Sequence, residues 1–299
     1  MTDGPPGRSG RFAAAWATWL LGSTVVPGCA ASADPHPVAP PPTARTPSQN
    51  GSEAALHALL DRIEAVAAER GRVTARLRLR SVQDLLGDET VRFGDLAYAA
   101  AEPPTGPAAR FAVTFDRLQT DDGAVKPIDR RFVYDGRWLL QTDADARTAT
   151  RRDLGPADPD SGGAGPAGAA DQNPVLLALT FDKAAVLRRF NATLGDGSPE
   201  GREPSGERAG AAAPPPHLIL VPRASSHHAD GSDLTRVDLF FDPASFEPLQ
   251  VAVEQVDGDR TVADLFEFDP RADVPDHHFD TALPTATGWD VQTVEAVEP

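Results

Sequence analysis

The chain has 299 residues, a single cysteine, and 44 Asp plus Glu against 28 Lys plus Arg. One thiol excludes an internal disulfide framework and every multi-cysteine zinc or iron–sulfur site. The net charge of −16 argues against a nucleic-acid partner, since a phosphate backbone would be repelled over most of the surface, and fits a protein kept soluble in a secretory or envelope compartment.

In chain order, Arg8 and Arg11 precede an apolar stretch from Phe12 to Val26 that is short for a permanent membrane helix. Residues 1–28 therefore read as a signal peptide. Val26-Pro27-Gly28-Cys29 is similar to a bacterial lipobox, in which the cysteine is lipidated and becomes the mature N-terminus; Pro27 departs from that pattern. The alternative is an ordinary signal peptide cut near Ala30, with Cys29 discarded. Residues 29–51 then form a proline-rich tether whose composition cannot bury a core.

The folded domain is expected over 52–299. Leu56, Leu59, Leu60, Ile63 and Val66 recur at helical spacing, with Ser52 as a candidate cap and Gly71 as a stop. After Gly71 the period changes to two. "RVTARLRLRS" alternates apolar and polar residues as a half-buried strand does, and "VRFGDLAYA", "ARFAVTFDRLQ", "RRFVYDGRWLLQTD" and "ARTATRRDL" follow as further strands. Asp135-Gly136 is a hairpin signal.

Two stretches rich in Gly, Pro and Ala, about 155–172 and 195–216, read as flexible insertions. Between them, Val175, Leu176, Leu179, Val186, Leu187 and Phe190 fall on one side of two short helices joined near 180–182. Strands return with "HLILVPR", "LTRVDLFFD", "PLQVAVEQVDG" and "RTVADLFEFD", and Asp257-Gly258 is a second hairpin signal. These runs give about nine or ten strands. The fold class expected is mainly β with helices: an incomplete antiparallel β-barrel, or strongly curved sheet, covered by a helical lid.

Several of these motifs, in this order, resemble the outer-membrane lipoprotein carrier family, LolA and LolB. They are "LDRIEAVAAERGRVTARLRLRS", "FGDLAYAAAEPPTGPAARF", "FVYDGRWLLQTDADARTATRRDL", "NPVLLAL" at the place of the family's lid helix, "HLILVPRASS", the long hairpin "VDLFFDPASFEPLQVAVEQVDGDRTVADLFEF" and the closing "FDTALPTATGWDV". The resemblance implies a non-enzymatic protein whose apolar interior, beneath the lid, accepts acyl chains of lipoproteins or lipids for lipoprotein localisation or transfer in the bacterial envelope. Together with the lipobox-like Cys29 it suggests a periplasm-facing, lipid-anchored protein, read as a monomer without a cofactor; Ala30, standing where an aspartate retains lipoproteins at the inner membrane in some bacteria, favours the outer membrane. The family's shuttle carries an arginine after its Gly-Asp-Leu strand that hydrogen-bonds to the lid. Here Ala101 or Glu102 stands at that place and Arg110 is the nearest arginine. That departure favours an anchored receptor, or a diverged lipid-binding protein, over a diffusing shuttle.

The candidate ligand-binding residues are one parity of the strands, Phe111, Val113, Trp138, Leu140, Leu239, Phe241 and Val251, with Leu176 and Leu179 from the lid. Trp138 and Phe241 rank first, because aromatic rings on hairpin strands can line a roomy pocket. The competing reading makes the same residues ordinary core, in a structural or interaction module with a filled interior. His227-His228 and His277-His278 have Asp residues nearby, but adjacent side chains on a strand point to opposite faces, so neither pair makes a metal site by itself. No catalytic motif is present: there is no nucleophile elbow, phosphate loop, dinucleotide fingerprint or His-Glu-x-x-His helix.

Overall fold

The computed structural model describes residues 49–102, 108–155, 174–201, 214–223 and 234–295. The signal peptide, Cys29, nearly all of the tether, most of both insertions and His227-His228 lie outside the described residues.

Helix α1 spans Gln49–Ala68. Six strands follow as an antiparallel meander: β1 Arg72–Gln83, β2 Asp88–Ala99, β3 Arg110–Thr120, β4 Val125–Tyr134, β5 Trp138–Asp143 and β6 Thr148–Asp153. Two short helices come next, α2 Pro174–Leu179 and α3 Lys183–Arg189. The remaining strands are β7 Phe190–Leu194, β8 His217–Pro222, β9 Leu234–Phe241, β10 Pro248–Gln255, β11 Arg260–Asp269 and β12 Asp290–Val294, with a 3-10 helix at Asp276–Phe279.

The twelve strands of the described residues form one sheet in the order β12-β6-β5-β4-β3-β2-β1-β11-β10-β9-β8-β7. The two meanders join through the antiparallel β1–β11 ladder, and β12 alone pairs in parallel, with β6. No ladder joins β7 to β12 among the described residues, so the sheet is open. The expected class, an unclosed antiparallel sheet with a helical cover, is what the chain forms.

Alternation in the sequence fixes the two faces. Val73, Ala75, Leu77 and Leu79 of β1 point to an inner face that gathers buried residues from β1 to β5 and β8 to β11, together with Leu60 and Ile63 of α1 and Val175 to Leu179 of α2. The opposite phase of β1 carries Arg76, Arg78 and Arg80, which pair with Asp95, Asp264 and Glu200. A second, smaller cluster lies on the outer face, where Ala97, Ala99, Ala112, Val133 and Leu140 are covered by Val274 and Phe279. Arg72 and Arg110 hold that cover through Asp276.

The twelve strands among the described residues exceed the nine or ten expected. The additions are β7, where the second lid helix stops at Arg189 and Phe190 begins a strand, and the short β12. Residues 195–201, the start of the second expected insertion, are fixed against the outer face. The Gly197 N–H donates to His217 Nδ1 at 3.2 Å, and the Glu200 N–H donates to Gln250 Oε1 at 2.9 Å.

At Gly94 the β2–β3 ladder shifts register, and an added Cβ would stand 1.9 Å from the Thr114 carbonyl oxygen. The obstacle is backbone, so it cannot rotate away. Gly94→Ala is expected to destabilise the fold by about 2 kcal/mol, read as a lower urea midpoint at unchanged slope.

A lid-covered apolar trough and its arginine clamp

The inner face of the sheet is apolar because one phase of each strand is apolar, and α2 lies directly on it. Every residue from Val175 to Leu179 is buried, so this helix is enclosed on all sides rather than amphipathic. Beneath it are two clefts that share Leu176. One, lined by Leu77, Leu79, Leu96, Val113, Phe115, Val175 and Leu176, holds about 310 Å³ of atom-free space, open solvent included. The other, lined by Tyr98, Ala109, Arg110, Phe111, Tyr134, Leu176 and Thr180, holds about 200 Å³ on the same measure. Burial pushes the Tyr134 hydroxyl up to about 12, with Asp135 acting in the same direction, and its oxygen has no hydrogen-bond partner among the described residues. Burial also pushes Tyr98 up to about 12, against the pull of Arg70.

The candidate residues separate into two groups. Phe111, Val113, Leu239, Phe241, Val251, Leu176 and Leu179 fall in the single inner cluster. Of these, Phe111, Val113 and Leu176 border the clefts, while Leu179, Leu239, Phe241 and Val251 are almost completely buried among their neighbours. Trp138 and Leu140 do not join them. In the β4–β5 hairpin Tyr134 pairs with Leu139, so Leu139 faces inward and the residues on either side of it face outward. Leu140 accordingly packs in the outer cluster, and the Trp138 ring lies between the guanidinium of Arg137, at 5.2 Å, and that of Arg151, at 4.5 Å.

His277 and His278 form part of the exposed 3-10 helix, with ring centroids 4.7 Å apart. No group of three or more His, Cys, Asp or Glu side chains is placed to hold a metal ion among the described residues.

What holds α2 in place was not legible in the sequence. Arg110, the nearest arginine to the expected position, turns to the outer face, where it meets Asp276 and the Phe279 ring. Arg70 clamps the helix instead. It follows α1, is only 4% exposed, and its Nη1 donates to the carbonyls of Ala178 at 3.1 Å and Leu179 at 2.7 Å. These belong to the last turn of α2, whose carbonyls have no partner within the helix. The Arg70 Nε donates to Glu247 Oε2 at 2.8 Å, and Nη2 stands 2.7 Å from the same oxygen. Burial pushes both groups toward their neutral forms, and each resists that displacement in the other by charge and hydrogen bonding. One side chain thus joins α1, the C-terminal end of α2 and the β9–β10 connection. The next helix is tied separately: Asp182 caps α3 by accepting from the Ala185 N–H at 2.7 Å, and the Lys183 N–H donates to Glu64 of α1 at 2.8 Å.

Fold and site together define an open antiparallel sheet with a clamped helical lid over an apolar trough. No family model matches the sequence, and no curated protein matches it. Among solved structures, the chain is similar to an uncharacterized conserved protein from Thermus thermophilus, at TM-score 0.41 and 12% identity, over 81% of this chain and 99% of that one. It is also similar to LprF from Mycobacterium bovis, at TM-score 0.37 and 11% identity, over 75% and 97%. A LolA superfamily protein from Nitrosomonas europaea is similar at TM-score 0.33 and 11% identity, over 75% and 97%.

Proposed function

We propose that this chain is a non-enzymatic envelope protein that holds acyl chains of lipoproteins or lipids between the inner face of the sheet and α2, attached to a membrane through lipidated Cys29. The observation that carries the reading is the pair of apolar clefts meeting at Leu176, directly beneath a helix held at its end by one arginine. Each methylene moved from water into such a trough contributes about 0.8 kcal/mol, so affinity needs no directional chemistry. Entry requires α2 to shift, and the Arg70 contacts are where that shift is resisted.

The test is displacement of a fluorescent fatty-acyl probe from the purified full chain, with native mass spectrometry of co-purified lipid. Saturable, competable binding is expected; absence of both probe binding and co-purified acyl cargo would remove the reading. The intact mass of the envelope-extracted protein checks the anchor, since a mature N-terminus at acylated Cys29 is expected.

One observation favours a second reading, a structural module with a filled interior. Leu218, Leu220, Val237, Leu239 and Phe241 are fully buried, which leaves the β8–β9 side of the trough occupied by the protein's own side chains. An undisplaced probe with unaltered melting temperature would favour it.

A further inference from the structure

The smaller cleft contains a donor that the protein itself leaves unused. Tyr98 on β2, Phe111 on β3 and Tyr134 on β4 are directly paired across the sheet and share its inner face. The Phe111 and Tyr134 rings lie 5.6 Å apart. Side chains stand roughly perpendicular to a sheet, so the phenol oxygen is the atom of Tyr134 farthest from its backbone, on the side where Leu176 and Thr180 complete the cleft.

Tyr134 is 1% exposed, and its hydroxyl has no hydrogen-bond partner among the described residues. A buried hydroxyl normally has one, because leaving it unpaired costs the fold its desolvation. The neighbouring polar groups are already engaged. Thr180 Oγ1 donates to the Leu176 carbonyl at 2.9 Å. Asp135 accepts from the N–H groups of Arg137 at 2.9 Å and Trp138 at 2.8 Å, and from the Thr281 hydroxyl. Arg110 borders the cleft but carries its guanidinium to Asp276 on the outer face, at 3.2 Å. Burial, and then the charge of Asp135, push the phenol up to about 12, so it stays a neutral donor throughout the physiological range. The same surroundings disfavour a second anion beside it. A neutral acceptor fits, and an ester carbonyl is one that brings no donor of its own to satisfy.

We propose that the Tyr134 hydroxyl donates to the carbonyl of an ester-linked acyl chain, whose hydrocarbon passes Leu176 and lies along Val113 and Phe115 in the larger cleft. The inference rests on the acyl-binding reading above and adds the linkage that the site recognises. Val113 and Phe115 follow Phe111 in the same phase of β3, roughly 7 and 13 Å along the strand. The two clefts meet at Leu176, so a carbonyl held at Tyr134 sets where the chain starts and which way it runs. A purely apolar trough sets neither.

The experiment measures binding of monopalmitoylglycerol, its ether analogue monohexadecylglycerol, and palmitate to the purified full chain at neutral pH. It also records the infrared carbonyl stretch of bound monopalmitoylglycerol carrying an isotope-labelled carbonyl. The ester is expected to bind about fivefold tighter than the ether, the worth of one neutral hydrogen bond, and tighter than palmitate. Its carbonyl stretch is expected at lower frequency in the complex than in hydrocarbon solvent. Tyr134→Phe keeps the ring, and is expected to abolish both the ester preference and the frequency shift while leaving ether binding unchanged. Equal binding of ester and ether by the unaltered chain would overturn the proposal while leaving acyl binding intact, as would tighter binding of palmitate than of the ester. So would a preference and shift that survive Tyr134→Phe, or a loss of ester and ether binding alike in that variant. Binding of none of the three would overturn both readings. If Tyr134→Phe does not fold, the ester–ether comparison and the carbonyl frequency of the unaltered chain still decide.

Discussion

Replacing Arg70 by methionine is expected to cost roughly 3–5 kcal/mol and to free α2 from its seat. The side chain is 1% exposed and its partner Glu247 is 14% exposed, so the change leaves a carboxylate with little water and no counter-ion from Arg70. It also strips the donor from the carbonyls of Ala178 and Leu179. Neither loss is made good by the methionine, which keeps length but has no donor. Glu247→Gln is expected to cost less: the Arg70 guanidinium loses its counter-ion, but an amide oxygen still accepts from Nε and the carbonyls of Ala178 and Leu179 keep their donor. In Arg70→Met/Glu247→Leu the apolar pair should recover part of the loss, as replacing both members of a buried ion pair often does. Urea denaturation gives the energies, and amide exchange at 174–180 gives the release of α2. A cost below about 1 kcal/mol with unchanged exchange would show that Arg70 is not what holds the lid.

Much of this architecture is written in local pattern. β1 announces its inner phase because leucines alternate with arginines, and the hairpins at Asp135-Gly136 and Asp257-Gly258 form where the turn residues stand, with Gly136 and Gly258 at φ 106° and 87°. Pattern fails where it is degenerate. Trp138, Leu139 and Leu140 are three apolar residues in succession, so either phase of β5 reads as inward, and only the pairing of Tyr134 with Leu139 decides. β7 escapes because Phe190 continues the apolar spacing of α3 without a break. β12 escapes because all five of its residues are exposed, which leaves no alternation to read. Arg70 is illegible for another reason: the carbonyls and the carboxylate it meets are 108, 109 and 177 residues away. A lid clamp is a tertiary fact, which no local pattern announces.

Phe115→Ala is expected to destabilise the unliganded protein by about 3–5 kcal/mol, yet to bind acyl ligands at least as well as the unaltered chain. The ring is 1% exposed, meets Phe132 edge-on at 6.2 Å, and forms one wall of the larger cleft. Truncation removes buried area and leaves a void lined by aliphatic side chains. A void of that kind stays dry and takes apolar ligands. If the trough is a binding site, the void is continuous with it, and an added acyl ligand should restore stability by mass action, with the midpoint rising as ligand concentration rises above its dissociation constant. If the interior is only packed core, the same substitution should cost the same energy with no recovery, because nothing can reach the space beneath α2. The destabilisation is common to both readings. The ligand-dependent recovery belongs to one of them, and combining it with Arg70→Met separates access from volume: loosening the lid should speed the approach of ligand to the enlarged cleft without changing how much chain the cleft can hold.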